Sequence, residues 1–266
     1  MDKNPLVTIV TPSYNQAAFL EETIQSVLSQ DYANLEYIIV DGGSTDGSID
    51  IIKKYQDRLA AWVSEPDQGQ SDAINKGFLM SSGEIMAWLN SDDIYHDGAI
   101  REMVSVFQEN PDLGLLYSDL DIIDVEGRTI GKFNTKQSSY RRLMRGGVNI
   151  PQPAAFWRRS IWERTGPLDI SFYFAMDYDL WVRIAKIAPV KYVPFSWASF
   201  RLHEEGKTSV SDDRCWPEMR RVHRREKGRL ISWFMAKYTL RKIIGPAWPT
   251  IKNKLNRWQS FGDGNE

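Results

Sequence analysis

Over residues 6–89, short apolar runs of strand length alternate with stretches of helical spacing. Leu6-Val7-Thr8-Ile9-Val10-Thr11, Leu35 to Val40, Leu59 to Val63 and Ile85-Met86-Ala87-Trp88-Leu89 read as buried strands. Between them, Phe19 to Leu28, Ile49 to Tyr55 and Asp72 to Leu79 carry helical spacing, the last ending at Ser81-Ser82-Gly83. Such alternation predicts a mainly parallel sheet with helices on both faces. Ligands of such sheets bind beyond the carboxyl ends of the strands. Three polar stretches fall there: Pro12-Ser13-Tyr14-Asn15, Asp41-Gly42-Gly43 and Asn90-Ser91-Asp92-Asp93. Their convergence is the geometry expected of a nucleotide pocket.

The second half is less regular. Leu113 to Tyr117, Leu120 to Val125, Pro153 to Trp157 and Val190 to Val193 read as strands, with a hairpin turn at Glu126-Gly127. Tyr140 to Arg145 and Tyr178 to Ala188 read as helices. Neighbouring carboxylates at Asp92 and Asp93 repel each other; either the stretch is a solvated acidic loop or a divalent cation relieves the repulsion. Hydrophobic residues make up 42% of the chain, enough for a sizeable core. Cys215 is the only cysteine, which rules out an internal disulfide and fits a reducing cytosol. The first residues lack the apolar stretch of a secretory leader, and no run reaches the ~18 apolar residues of a membrane span.

Charge is split along the chain. Residues 214–266 hold 13 Lys/Arg against 4 Asp/Glu, while residues 1–213 hold 20 against 31. No zinc-finger or RNA-binding motif accompanies the basic part, so nucleic acid is not expected as a partner. Ile231, Phe234, Met235 and Tyr238 share one helical face beside that charge. A basic amphipathic tail of this kind either lies on an anionic membrane, through residues 214–258, or packs on the domain.

Five pieces, in order, resemble glycosyltransferase family 2, the inverting enzymes of the GT-A fold. They are Thr11-Pro12-Ser13-Tyr14-Asn15, Asp41-Gly42-Gly43-Ser44-Thr45-Asp46-Gly47, Asp67 to Gly77 (DQGQSDAINKG), Asn90-Ser91-Asp92-Asp93 and Asp177-Tyr178-Asp179-Leu180-Trp181. The resemblance covers roughly residues 6–210. It implies an α/β, Rossmann-like GT-A domain over 1–212, with a nucleotide-sugar half to about 110 and an acceptor half from about 111. A basic helical tail follows over 213–266.

The resemblance also implies roles. Asp41 would accept a hydrogen bond from a uracil or thymine ring N3–H, and Thr11 and Tyr14 would support base and ribose. Pro12 fixes the exit from the first strand. Asp67 and Asp72 would lie against the nucleotide, although Asp72 can equally cap the helix after it. Asn90 stands where relatives have the first acid of Asp-x-Asp; it would bind ribose, with Asp93 either assisting the metal through water or orienting the sugar. Asp92 would be the main ligand of a divalent Mg or Mn ion. His203 is a metal or phosphate ligand or a surface histidine, and Arg201 and Lys207 would neutralise phosphate. Asp177 would deprotonate the acceptor hydroxyl, the other possibility being a helix cap.

The reaction implied is transfer from a UDP- or dTDP-type sugar to a glycan or lipid-linked acceptor in bacterial cell-surface polysaccharide synthesis. Its place would be the cytoplasm or the inner face of the membrane. A nucleotidyltransferase and a non-catalytic sugar-nucleotide or glycan-binding module are the rival readings. The first stretch lacks the Gly-rich basic loop usual for the former, and retention of Asp92 and Asp177 argues against the latter.

Overall fold

The computed structural model describes residues 4–145, 150–204, 206–207, 212–228, 236 and 239. The first strand, β1 (Val7–Ser13), is buried at every residue. Its β-branched run suits a strand covered on both faces. It lies between β2 (Leu35–Asp41) and β4 (Ile85–Trp88), and β3 (Ala61–Ser64) pairs outside β2, all parallel. Helices α1 (Ala17–Leu28), α2 (Ser48–Tyr55) and α3 (Gln70–Met80) connect these strands. Gly77 lets α3 sit close on β1, because a Cβ there would come within 2.4 Å of Val10 Cγ1.

Register aligns the strand ends. Ser13 pairs with Asp41, Asp41 with Ser64, and Val10 with Trp88. The polar segments that follow therefore open on one edge of the sheet.

Beyond β4 the sheet becomes mixed. The described strands form one nine-stranded sheet of order β3-β2-β1-β4-β8-β6-β9-β5, with β7 paired to β6. Its added members are β5 (Ile94–Tyr95), β6 (Leu115–Ile123), β7 (Thr129–Phe133), β8 (Ala155–Arg158) and β9 (Val190–Arg201). β8 runs antiparallel to both β4 and β6, while β6 and β9 are parallel. The expected parallel sheet is thus the amino-terminal half of a larger mixed one. The two strands expected at Leu113–Tyr117 and Leu120–Val125 are the single strand β6. Register shifts between Ser118 and Leu120 absorb the irregularity that the sequence shows as a break. The hairpin turn holds, with Gly127 at φ +79 between β6 and β7.

Among the described residues the body also contains α4 (Ala99–Glu109), α5 (Tyr140–Leu143), α6 (Arg159–Thr165) and α7 (Met176–Ile187). Helix α4 is not among the elements expected from the sequence. Its buried Ile100, Met103, Val104 and Phe107 nevertheless carry the i, i+3, i+4, i+7 spacing that identifies a helix. Three tryptophans join the two halves. Trp88 stacks on Trp181 with centroids 5.8 Å apart, and Trp157 meets both at 5.4 and 5.5 Å. Trp88 lies two residues before Asn90 and Trp181 four after Asp177, so this packing sets the spacing of the two functional segments.

The chain continues past 212 into helix α8 (Asp212–Arg225), whose Met219 and Val222 are buried. The face at Ile231, Phe234, Met235 and Tyr238 lies outside the described residues, as does most of the expected membrane-binding stretch to 258. No helix among the described residues is long and apolar enough to cross a membrane.

Candidate active site

At the end of β2, Asp41 is fully buried. Its Oδ2 accepts hydrogen bonds from the Gly43 and Ser44 amides at 3.0 and 2.9 Å and from Ser64 Oγ at 2.7 Å; its Oδ1 accepts from Ser44 Oγ. The carboxylate expected to meet the base is therefore committed to shaping the loop, a role backbone amides favour in a buried acid. Thr11 also departs from expectation. It is fully buried, and its hydroxyl lies 3.0 Å from the Tyr37 hydroxyl rather than at the pocket. Alternation along a strand explains this: Thr11 and Ser13 share a face, and Pro12, buried opposite Val40, takes the other.

Tyr14 and Asp67 meet beside Gly42 at the ends of the first strands. Tyr14 is 62% exposed. A Cβ on Gly42 would lie 2.7 Å from Asp67 Oδ2 and 3.3 Å from Tyr14 Cδ2, so the glycine leaves the room that the Asp67 carboxylate occupies. Asp67 Oδ1 accepts from the Gly69 amide at 2.7 Å. Among the described residues its Oδ2 carries no hydrogen bond. Asp72 is not the cap of α3, because Gly69 takes that position. Instead, Asp72 Oδ2 accepts from the Gln68 amide at 3.0 Å and lies 3.5 Å from Lys76, which also pairs with Glu65.

After β4, Asp92 and Asp93 diverge. Asp92 is part-exposed, and its Oδ2 lies 3.0 Å from His203 Nε2; the imidazole packs against Phe19 at 4.7 Å. Asp93 is fully buried and points inward, accepting from the Arg201 amide and from Asn90 Nδ2 at 3.1 Å each. Burial, then the neighbouring Asp92 charge, pushes its carboxyl well above the ordinary range. The expected sugar contact at Asp93 thus becomes a brace for the loop. Arg201 is a second brace. It is 1% exposed, pairs with Glu22 at 2.5 Å, and donates to the carbonyls of Asp92 and Asp124 at 3.0 Å. The guanidinium expected to neutralise phosphate is thereby engaged within the protein.

Asn90 is occupied too. Its Oδ1 accepts from Gln70 at 2.7 Å, and its Nδ2 also donates to Gln152 Oε1 at 3.0 Å. Gln70 in turn accepts from Lys207 Nζ at 2.8 Å, and that ammonium lies 4.2 Å from the Tyr173 ring centroid. A polar chain therefore runs from Asn90 through Gln70 to Lys207. Gln70 was not legible as a site residue; only its place at the start of α3, beneath the Asp67 turn, marks it.

Lys207 faces Asp177. Burial pushes the ammonium down to about 8, an effect that the Asp177 and Glu218 charges oppose. Asp177 itself is pushed up to about 6, chiefly by burial, with the Tyr178 amide and Lys207 pulling the other way. The cap of α7 is Ala175, so Asp177 sits inside the first turn, where its Oδ1 accepts from Tyr178 N at 2.6 Å. A carboxyl near 6 at a pocket is basic enough to take a proton and is ionised at neutral pH. Asp179, two residues on, is buried and paired with Arg183 and Arg225 at 2.9 and 2.5 Å, an anchor rather than a reactive group. Asp92 and His203 offer one oxygen and one nitrogen to a cation. No group of three His, Cys, Asp or Glu side chains able to hold a metal occurs among the described residues. Two such groups would hold a cation only with further ligands from a bound molecule.

This mixed sheet, with its loops on the carboxyl edge of the first strands, is the GT-A fold of sugar transferases. The family model described as glycosyl transferase family 2 matches residues 8–165, and the chain belongs to that family. An "uncharacterized glycosyltransferase" of Nostoc sp. is 29% identical over 209 residues, covering 74% of this chain and 65% of its own length. A Rickettsia conorii glycosyltransferase is 30% identical over 223 residues, covering 78% and 36%. A PGL/p-HBAD biosynthesis glycosyltransferase of Mycobacterium bovis is 28% identical over 183 residues, covering 67% and 69%. The chain thus corresponds to only part of the longer relatives. Among solved structures, S. aureus TarS 1-349 in complex with UDP aligns with TM-score 0.66 at 16% identity, over 88% of this chain and 71% of its own. The mannosyltransferase PcManGT of Pyrobaculum calidifontis, in complex with GDP-Man and Mn2+, aligns with TM-score 0.65 at 20% identity, over 100% and 77%.

Proposed function

We propose that this chain is an inverting glycosyltransferase. It moves a sugar from a nucleotide-diphosphate donor to a hydroxyl of a glycan or lipid-linked acceptor, in the synthesis of a cell-surface polysaccharide. The observation that carries the reading is the polar chain Asn90–Gln70–Lys207, which links the segment of Asp92 to an ammonium whose charge acts on the base candidate Asp177. A carboxyl pushed up to about 6 by burial, beside the Lys207 charge, supports a proton-accepting role over simple sugar binding.

Asp92 and His203 would hold a divalent ion together with the donor diphosphate. When bound, such an ion neutralises charge on the leaving group. Asp177 accepts the proton of the acceptor hydroxyl. That oxygen forms its bond to the anomeric carbon from the face opposite the diphosphate, whose bond to carbon breaks with both electrons. Inversion follows from the single displacement. Lys207, half-buried in front of the aromatic pair Tyr173 and Phe174, keeps a positive charge beside the base.

The base pocket is read by Asp67 rather than by Asp41. Its Oδ2 offers an acceptor to a pyrimidine N3–H above Gly42, with Tyr14 alongside. That favours UDP or dTDP donors. The neighbours with UDP-GlcNAc, with UDP and with GDP-Man show that the fold itself accommodates either kind of base. Competition calorimetry with UDP, dTDP and GDP tests the preference. Tighter binding of GDP than of the pyrimidine diphosphates would contradict the role of Asp67.

A further inference from the structure

Helix α8 lies beyond the family-matched region, yet it grips the segment that carries Asp177. The Glu218 carboxylate accepts hydrogen bonds from three consecutive backbone amides, those of Tyr173, Phe174 and Ala175, at 2.9, 2.8 and 2.8 Å. These amides immediately precede α7, whose second residue is Asp177. Charge-assisted bonds of this kind are about twice as strong as neutral ones. Further contacts hold the same two helices together. Arg225 pairs with buried Asp179 at 2.5 Å, and Glu226 pairs with Lys186 at 2.8 Å. The Arg221 guanidinium lies 3.6 Å from the Phe172 ring centroid, and its Nη2 donates to Ser171 Oγ at 2.7 Å. Met219 and Val222 are buried between these polar contacts.

The turn held by Glu218 sets two functional groups at once. Its carboxyl end enters α7 one residue before Met176-Asp177, and its Tyr173 ring stands 4.2 Å from the Lys207 ammonium. A carboxylate 41 residues downstream of the base is thus the fixed point of the acceptor side.

We propose that Glu218 is a positioning residue of the transfer reaction. It locks residues 173–175 so that Asp177 and Lys207 face the acceptor in register, and helix α8 is therefore part of the active-site architecture. The proposal rests on the reading of Asp177 as the base.

The test uses the full chain with Glu218→Ala, Glu218→Gln and Asp177→Asn measured side by side. The assay follows nucleoside diphosphate released from whichever of UDP-, dTDP- and GDP-glucose the wild type turns over fastest, with water as the acceptor. Glu218→Ala should lower kcat by about tenfold or more, since small misplacements of a reacting group carry large rate costs, with the donor KM unchanged. Glu218→Gln keeps an acceptor oxygen and should restore part of the loss. Amide exchange across residues 173–179 should quicken in Glu218→Ala, a readout independent of turnover. Wild-type kcat, a change confined to KM, or unaltered exchange at 173–179 would overturn the proposal. If Glu218→Ala does not fold, Glu218→Gln decides alone: reduced kcat at unchanged KM supports it, and wild-type kcat overturns it. Full turnover by Asp177→Asn would sink the base assignment instead, so the two failures are distinct.

Discussion

Three aspartates at the carboxyl edge show how environment assigns work to one side-chain type. Asp41 is saturated by local donors, Asp93 is buried against Asn90 and the Arg201 amide, and Asp67 leaves an oxygen open at the pocket. Asp41→Ala should therefore destabilise the fold, because the Gly43 and Ser44 amides and the Ser64 hydroxyl lose their acceptor; leaving buried donors unpaired costs about 1–3 kcal/mol each. Asp67→Ala loses only the exposed bond from the Gly69 amide, so it should change the melting temperature little and weaken UDP binding. Thermal melts and calorimetry on both variants separate the two roles, and a reversal would return base recognition to Asp41. Asp177 adds a pH dependence. Its ordinary value is 3.8, and burial holds it near 6 in the fold, so the proposed base is ionised only above that value. The rate should climb through about pH 6 to a plateau. The stability linked to its protonated form is complete below 3.8 and is lost as pH rises through 6. Lys207→Met removes a charge that pulls the carboxyl down, so the acidic limb should move to higher pH; an unmoved limb would mean that another group titrates.

At the scale of elements, the close seat of α3 on β1 is what holds the Asp67 turn and Gln70 over the strand ends. Gly77→Ala should cost about 1–3 kcal/mol by overpacking, because Val10 has no room to retreat inside a fully buried strand. Denaturant unfolding measures it, and an unchanged midpoint would show that the contact relaxes freely. The alternation that builds this half was legible in sequence because strand and helix periods differ so clearly. Its strand ends, and hence the three polar loops, were legible with it. Which face each side chain takes was not. Thr11 and Tyr14 belong to one motif, yet Thr11 meets Tyr37 in the core while Tyr14 reaches solvent. The commitments of Asp41, Asp93 and Arg201 were hidden for the same reason, since their partners follow from three-dimensional packing. Glu218 was illegible because it meets the amides of residues 173–175 only after α8 folds back on α7.

Across the whole molecule, the acidic body and basic carboxyl-terminal part invite opposite electrostatic roles. Helix α8 complicates a simple division at 212, because its Arg225 and Arg221 are engaged with Asp179, Asp169 and Ser171 of the body. We expect the basic residues after 228 to supply any attraction to anionic lipid, each worth ~1 kcal/mol near such a surface and weakened by salt. Truncation after Gly228 should abolish co-sedimentation with anionic liposomes at low salt while leaving UDP binding intact. Truncation after Asp213 should also impair turnover, because it removes Glu218. If the intact chain ignores anionic liposomes at low salt, the tail serves packing or a protein partner, and the lipid-linked acceptor loses its support.

In the proposed reaction Asp177 activates the acceptor over a separately bound donor. The most direct test of this role compares wild type with Asp177→Asn for UDP affinity by calorimetry and for nucleoside diphosphate release from a sugar nucleotide. The expected result is equal affinity and release slowed ~10²–10⁴-fold, the usual cost of losing a general base. Release at the wild-type rate with equal affinity would contradict it.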